Sequence, residues 1–398
     1  MAYSGGLDAS VCIHWLRRSR GYEVITFSAD LGQDISAESL ANRALALGAT
    51  SALSSDLRER FLKEFAFPAL VAGARAMSGS YLSIALSRPF ITAEVVRIAQ
   101  EVNCDFIAHG GRGKSNDQAR FQACVDALAP QLRVIAPLRE KQFLSRNGAI
   151  EYAKRYGLPV GETDHKTYSY DQNLWGTAIG STDIEDLWAE PPAGLFGGTK
   201  SPEEAPDKVT YIEVGFRKGE PVSLDSEALA SVLLVERLNR MGAQNGVGRL
   251  DAVETRITGI KARMVYESPG AHILYTALGA LEEVILPESV LEAKRLASVR
   301  YTELIHKGLW FTGEREALDA FFRKIGATLT GAVRVKLYKG NCTVVGRKSE
   351  FSLYDRTLAT IGPEDRFDYT AAAGFLEITG IPVRLESRQR KKISDSGD

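Results

Sequence analysis

Ser4-Gly5-Gly6-Leu7-Asp8-Ala9-Ser10 leads directly into Val11-Cys12-Ile13-His14-Trp15-Leu16, a run with helical character. Glycines at such a point let the backbone approach a ligand closely, successive N–H groups form an anion nest, and the helix that follows presents the positive end of its dipole. The stretch is therefore a candidate phosphate site at a strand-to-helix turn, whereas a bare Ser-Gly-Gly would be an ordinary glycine turn. No Gly-Lys-Ser/Thr follows, which excludes a Walker A loop. Only Met1-Ala2-Tyr3 precede Ser4. The strand that should lead into the glycines is thus either very short or, as we expect, cut by a start codon assigned several residues late.

Working outward, the first 160 residues alternate short β-rich apolar runs with helical patterns, the mark of parallel βαβ units. Candidate strands are Val24–Ser28, Phe106–His109 and Val134–Ala136. Ile91, Val95, Ile98 and Val102 recur at helical spacing, as do Ala149, Ile150 and Ala153, so the connections can be helices packed on an open, doubly wound α/β sheet. After Gly157 the texture changes. A Gly- and Pro-rich stretch from Pro191 to Pro206 precedes the alternating Thr210, Ile212, Val214 and Phe216. Arg217-Lys218-Gly219-Glu220 and Lys339-Gly340-Asn341 are hairpin turns, and Glu282–His306 and Arg315–Ile325 are long helical stretches between hairpins. This half is a second, α+β and mostly antiparallel domain.

The chain has 398 residues, 44% of them hydrophobic and 25% charged, enough for two or three domains with substantial cores. Its 49 basic and 50 acidic side chains argue against a dedicated nucleic-acid binder and for small-molecule partners. The longest stretch without charge, Ser268 to Leu281, falls short of the roughly 20 residues that span a bilayer. No secretory signal is visible, and four scattered cysteines without a CxxC pair suit thiols in a reducing compartment, so the expectation is a soluble, cytoplasmic chain without structural zinc. The tail Arg384–Asp398 is basic and follows an apolar series, Phe375, Leu376, Ile378, Ile381, Val383 and Leu385, which needs a cover such as a second subunit.

A second cluster, His109-Gly110-Gly111-Arg112-Gly113-Lys114-Ser115-Asn116-Asp117-Gln118-Ala119-Arg120-Phe121, follows the strand Phe106–Ala108, at the carboxyl end where open sheets bind ligands. Its glycines and lysine suit a phosphate. Asn116, Asp117 and Arg120 suit an amino acid, since a carboxylate accepts from Arg or Asn and an ammonium needs an acid. A solvated helix start is the plain alternative. The loop at 4–10, with Ser at both ends and one internal Asp, resembles the pyrophosphate loop (PP-loop) of the ATP pyrophosphatases. On that resemblance Ser4, Gly5, Gly6 and Ser10 hold the leaving pyrophosphate and Asp8 helps place Mg²⁺. Asp8 is also a helix N-terminal carboxylate favoured by the dipole.

Over nearly its whole length the sequence resembles argininosuccinate synthases. The matching pieces are AYSGGLDAS (2–10), SADLGQ (28–33), LSRP (86–89), HGGRGKSNDQARF (109–121), VIAP (134–137), YSYDQNLWG (168–176), GVGRLDAVETR (246–256), VYESPG (265–270), SLYD (352–355) and GFLEITG (374–380). The resemblance implies an ATP-binding PP-loop domain at 1–160, a synthetase and multimerisation domain at 161–365 and an oligomerisation arm at 366–398. It also implies a homotetramer that, for arginine biosynthesis, condenses citrulline with aspartate into argininosuccinate, AMP and pyrophosphate.

Carried over position by position, the ATP contacts fall on Ala2, Tyr3, Ser4, Gly5, Gly6, Leu7, Asp8, Ala9, Ser10, Ala29 and Gly110. The aspartate contacts fall on Arg112, Asn116 and Asp117, and the citrulline contacts on Tyr81, Asn116, Arg120, Ser169, Ala178, Glu254 and Tyr266. Four positions depart from the family pattern. Arg112 stands for a small Thr that touches aspartate, Ser115 for Gly, Ala178 for a citrulline-binding Ser and Ala9 for Thr. Tyr81-Leu82-Ser83-Ile84-Ala85 is also one residue short. These changes leave open a related ligase that uses another amine or another ureido or amide acceptor, and a silent ATP-binding protein is a third reading.

Overall fold

The computed structural model describes residues 1–143, 145–159 and 168–396. The expected boundary at 160/161 and the last two tail residues, Gly397 and Asp398, lie outside the described residues. Two compact units emerge, Met1–Phe351 and Ser352–Asp398.

The first unit begins with α1 (Leu7–Arg20), β1 (Ile25–Asp30), α2 (Ala37–Ala46) and β2 (Ser51–Asp56). A helical segment made of α3 (Arg58–Phe61), one π-helical turn and α4 (Phe67–Val71) follows, then α5 (Ser83–Glu101), β3 (Phe106–Ala108), α6 (Asn116–Leu128), β4 (Arg133–Ile135) and α7 (Arg146–Arg155). β1 pairs with β2, and β3 with β4, both in parallel. Met1–Tyr3 joins the two pairs. Ala2 bridges Phe27 in parallel and its N–H reaches the Ala108 carbonyl at 3.1 Å, while the Tyr3 N–H reaches Phe27 at 2.9 Å. Ahead of the glycines the chain thus forms a single parallel bridge. Alternation along these strands feeds two cores: Phe27, Ala29 and Ile107 face one, Tyr3 and Ala108 the other, as a sheet covered on both faces demands.

Two antiparallel sheets follow. One has the order β10 (Arg249–Thr255), β11 (Lys261–Glu267), β6 (Gly176–Ser181), β5 (Tyr168–Asn173). The other is β13 (Asn341–Lys348), β12 (Gly331–Tyr338), β7 (Thr210–Arg217), β8 (Glu220–Leu224), β9 (Glu227–Ala228). Both expected hairpin turns are two-residue loops with positive φ at each centre, Lys218-Gly219 and Lys339-Gly340, the conformation that matches strand twist. Helices α8 (Ser231–Gln244), α9 (Pro269–Ile285), α10 (Glu288–Lys307) and α11 (Gly313–Gly326) complete the unit. The expected continuous helix over 282–306 is broken. Leu286 is extended ahead of Pro287, whose ring disfavours helical geometry in the residue before it.

The first of these cores continues into the carboxyl-terminal half of the unit, from Phe61, Phe65 and Leu86 to Trp175, Ile212, Leu274 and Leu337. Phe65 stacks on Trp310 with centroids 4.4 Å apart. The second unit contains α12 (Arg356–Ala359) and α13 (Tyr369–Asp395), a 27-residue helix on which the apolar series from Phe375 to Leu385 is exposed. No described helix is long and apolar enough to cross a membrane.

Candidate active site

The carboxyl ends of Met1–Tyr3, β1 and β3 open onto a cavity of about 1340 Å³ that the β5–β6 and β10–β11 hairpins and α5 close from the other side. Its size exceeds that of most single-ligand pockets. Three groups of side chains meet there.

The first is the loop before α1. Ala2, Tyr3, Ser4, Gly6, Leu7, Asp8 and Ala9 line the cavity, with Ala29 from β1 beside them. The residue capping α1 is Gly6, which has no side chain to spend on the helix N-terminus. Gly5 and Ser10 lie behind the wall. Gly5 turns the chain at φ +80, with Leu40 Cδ2 2.4 Å from where a Cβ would stand, and the fully buried Ser10 shares a 3.3 Å hydrogen bond with the Tyr3 hydroxyl.

The second group follows β3. Gly110 packs directly on this loop, since a Cβ there would come within 3.1 Å of the Ala9 backbone. Ser115 caps α6 by accepting from the Asp117 N–H. Asn116 accepts the Ile257 N–H at 2.8 Å, tying α6 to the β10–β11 turn. Asp117 accepts from Arg88 Nε at 2.8 Å and from Arg120 Nη1 at 3.3 Å, and Arg120 Nε donates to the His306 carbonyl at 3.0 Å. Arg88 continues to Asp171 on β5. Burial works against ionisation of Asp117, but the two guanidiniums win and hold its carboxyl below the usual range. Arg88 and Asp171 were given no role in the sequence. Both lie in matching stretches, LSRP and YSYDQNLWG, and that placement was the available signal.

Arg112 departs from expectation. Its guanidinium turns away from the Asn116–Asp117 end and grips both carboxylate oxygens of Asp8, 104 positions away, with Nε at 2.6 Å and Nη2 on the second oxygen. Asp8, expected at a metal, thus meets an arginine.

The third group comes from the antiparallel sheet. Ser169, Ala178, Glu254 and Tyr266 all line the cavity. Tyr266 and Ala178 are register partners, and the Tyr266 hydroxyl donates to Glu254 at 2.6 Å. Tyr81 is not brought here. It is buried, with its hydroxyl 2.9 Å from His272 Nδ1, and the neighbouring Ser80 lines the cavity.

His109 ends β3 as a neutral imidazole. Its Nδ1 accepts the Gly111 N–H at 3.0 Å, its ring stacks on Phe121, and burial lowers its pKa to about 4. Burial and then Arg120 bring His306 to about 4 as well. Both groups stay neutral in the fold yet protonate in the unfolded chain below an ordinary 6.5, so the stability they confer is complete above that value and is lost as pH falls toward about 4. For the nearly inaccessible His109 the shift corresponds to about 3 kcal/mol. Melting temperature is expected to fall steeply between about pH 6.5 and about pH 4, and less steeply in His109→Gln. Parallel curves would remove His109 as a cause.

Comparison with known proteins covers nearly the whole chain. Residues 1–159 match the family model described as the arginosuccinate synthase N-terminal HUP domain, and residues 168–386 match the arginosuccinate synthase C-terminal domain. Among similar proteins are the argininosuccinate synthases of Pelotomaculum thermopropionicum, 44% identical over 393 residues, and Aquifex aeolicus, 45% identical over 395, each covering 98% of both chains. Both halves match in order, and the relatives extend across the parallel sheet, the antiparallel sheets and the cavity between them: the chain belongs to the argininosuccinate synthase family.

Proposed function

We propose that this chain ligates L-citrulline and L-aspartate into argininosuccinate, converting ATP to AMP and pyrophosphate through a citrullyl-adenylate. The observation that carries the reading is the convergence on one cavity of a phosphate loop, the Asn116–Asp117–Arg120 cluster and the Ser169–Glu254–Tyr266 wall. A urea carbon is a poor electrophile. Transfer of AMP to the ureido oxygen creates a leaving group, after which the amine of aspartate attacks the carbon. The protein's work is to hold three reactants in line and to neutralise phosphate charge.

In this reading Glu254 and Ser169 receive the citrulline ammonium and Arg120 its carboxylate, while Asn116 and Asp117 hold aspartate. Residues 1–160 bind ATP, 161–365 carry the synthetase half, and 366–398 form the arm. ATP enters as its magnesium complex, the metal carried by the phosphate oxygens. Asp8 is the loop carboxylate that would help hold that metal once Arg112, which it now meets through both oxygens, turns to phosphate; the described residues contain no group of three His, Cys, Asp or Glu side chains that would cage an ion by themselves.

Argininosuccinate and AMP formed only when citrulline and aspartate are both supplied is the expected assay result. AMP formed with another ureido or amide acceptor, and none with citrulline, would favour the second reading, which Ala178 supports by presenting a methyl group to the cavity. We further propose a cytoplasmic homotetramer held through the exposed apolar face of α13. Deleting the chain after Gly374 should give smaller particles in light scattering, and an unchanged mass would count against the arm.

A further inference from the structure

We infer that Arg112 is a phosphate-binding residue, a cation brought against the 4–10 loop by the loop after β3, paired with Asp8 here and taking the pyrophosphate oxygens of ATP in the loaded enzyme. The inference rests on the reading of that loop as a pyrophosphate site. Gly110 seats the second loop against the Ala9 backbone, and Arg112, two residues on, therefore reaches the first turn of α1, where Asp8 stands.

That is an unfavourable end of a helix for a cation, because the dipole is positive there. A guanidinium so placed needs an anion, and Asp8 supplies one. A polyphosphate arriving at the same helix end offers more negative charge in the planar geometry that a guanidinium matches with paired N–H groups. Nε and Nη2 bind Asp8 and Nη1 donates to the Phe143 carbonyl at 3.5 Å. Of the five N–H donors, two remain for a ligand. Arg112 and Asp8 both line the cavity, and their side chains are 26% and 28% exposed, so the pair is within reach of a ligand and free to exchange partners.

The substitution also changes the charge arithmetic. Where the family pattern has a neutral threonine, this chain carries a permanent positive charge beside the loop carboxylate. The fixed cation supplies at the loop some of the neutralisation that would otherwise fall to the metal travelling with ATP, and tight holding of pyrophosphate should depend less on magnesium.

The test titrates inorganic pyrophosphate calorimetrically into the full-length protein, wild type, Arg112→Thr, Arg112→Gln and Arg112→Lys, first with a chelator and then with magnesium. With chelator, the wild type should bind, Thr and Gln should each weaken binding by at least about tenfold, and Lys, which keeps the charge, by only about threefold. With magnesium the gap between wild type and Arg112→Thr should narrow to within about threefold. Should Arg112→Thr fail to fold, the Gln and Lys variants carry the comparison. No binding by the wild type in either condition overturns the pyrophosphate-loop reading and this inference with it. Binding by the wild type that Thr and Gln leave unchanged, with an altered KM for aspartate alone, overturns this inference only and returns Arg112 to the amine pocket.

Discussion

Asp117→Ala is expected to lower kcat/KM for aspartate by at least about a hundredfold and to destabilise the fold by about 3 kcal/mol. The carboxylate lies between two guanidiniums, Arg88 and Arg120, whose side chains are 15% and 7% exposed. Removing it leaves Arg120 beside the Arg88 guanidinium without its carboxylate, while Arg88 keeps only Asp171, and breaking a buried pair from one side costs far more than the pair gains by forming. A carboxylate has about four acceptor positions. Those two arginines occupy two of them, leaving room for the ammonium of the amine substrate. Asp117→Asn keeps the shape and loses the charge, so it should recover part of the stability and little of the activity. Urea denaturation and steady-state kinetics on both variants separate the two demands. Full activity in Asp117→Asn would show that no ammonium is held there.

Gly308→Ala should destabilise the protein by about 3 kcal/mol and raise the KM for citrulline. Gly308 ends α10 at φ +76, and an added Cβ would stand 2.7 Å from the Arg120 Cα. The strain has two sources, left-handed backbone and backbone collision. Gly21 isolates the first: it ends α1 at φ +69 with nothing within 4 Å of a Cβ, so Gly21→Ala should cost about 1 kcal/mol. The difference between the variants measures the packing of α10 on α6 that fixes Arg120. Equal losses in the two would mean that α6 yields freely.

The sequence was most legible where chemistry is local. The 4–10 loop, the hairpin turns and the cluster at 109–121 each announce themselves through adjacent residues whose backbone geometry or polarity has few other uses. What escaped depends on distant partners. β2, Ser-Ala-Leu-Ser-Ser-Asp, lacks an apolar run because it is an edge strand with half its side chains exposed. The direction taken by Arg112 depends on the contact between Gly110 and Ala9, about a hundred positions apart in the chain. That Tyr81 turns to His272 while Ser80 lines the cavity depends on the path of the chain into α5.

The continuous core bears on how such an enzyme can change by recombination. The two family models meet between residues 159 and 168, an inviting crossover point. Yet Phe65 lies on Trp310, Phe67 packs edge-on against Trp175, and Gly219 leaves room for Val71. A hybrid gene that joins this amino-terminal half to the carboxyl-terminal half of a relative sharing 44% of its residues would bring together surfaces shaped against different neighbours. Such a hybrid is expected to fold as stably as its parents only if it carries the aromatic contacts on both sides of the seam.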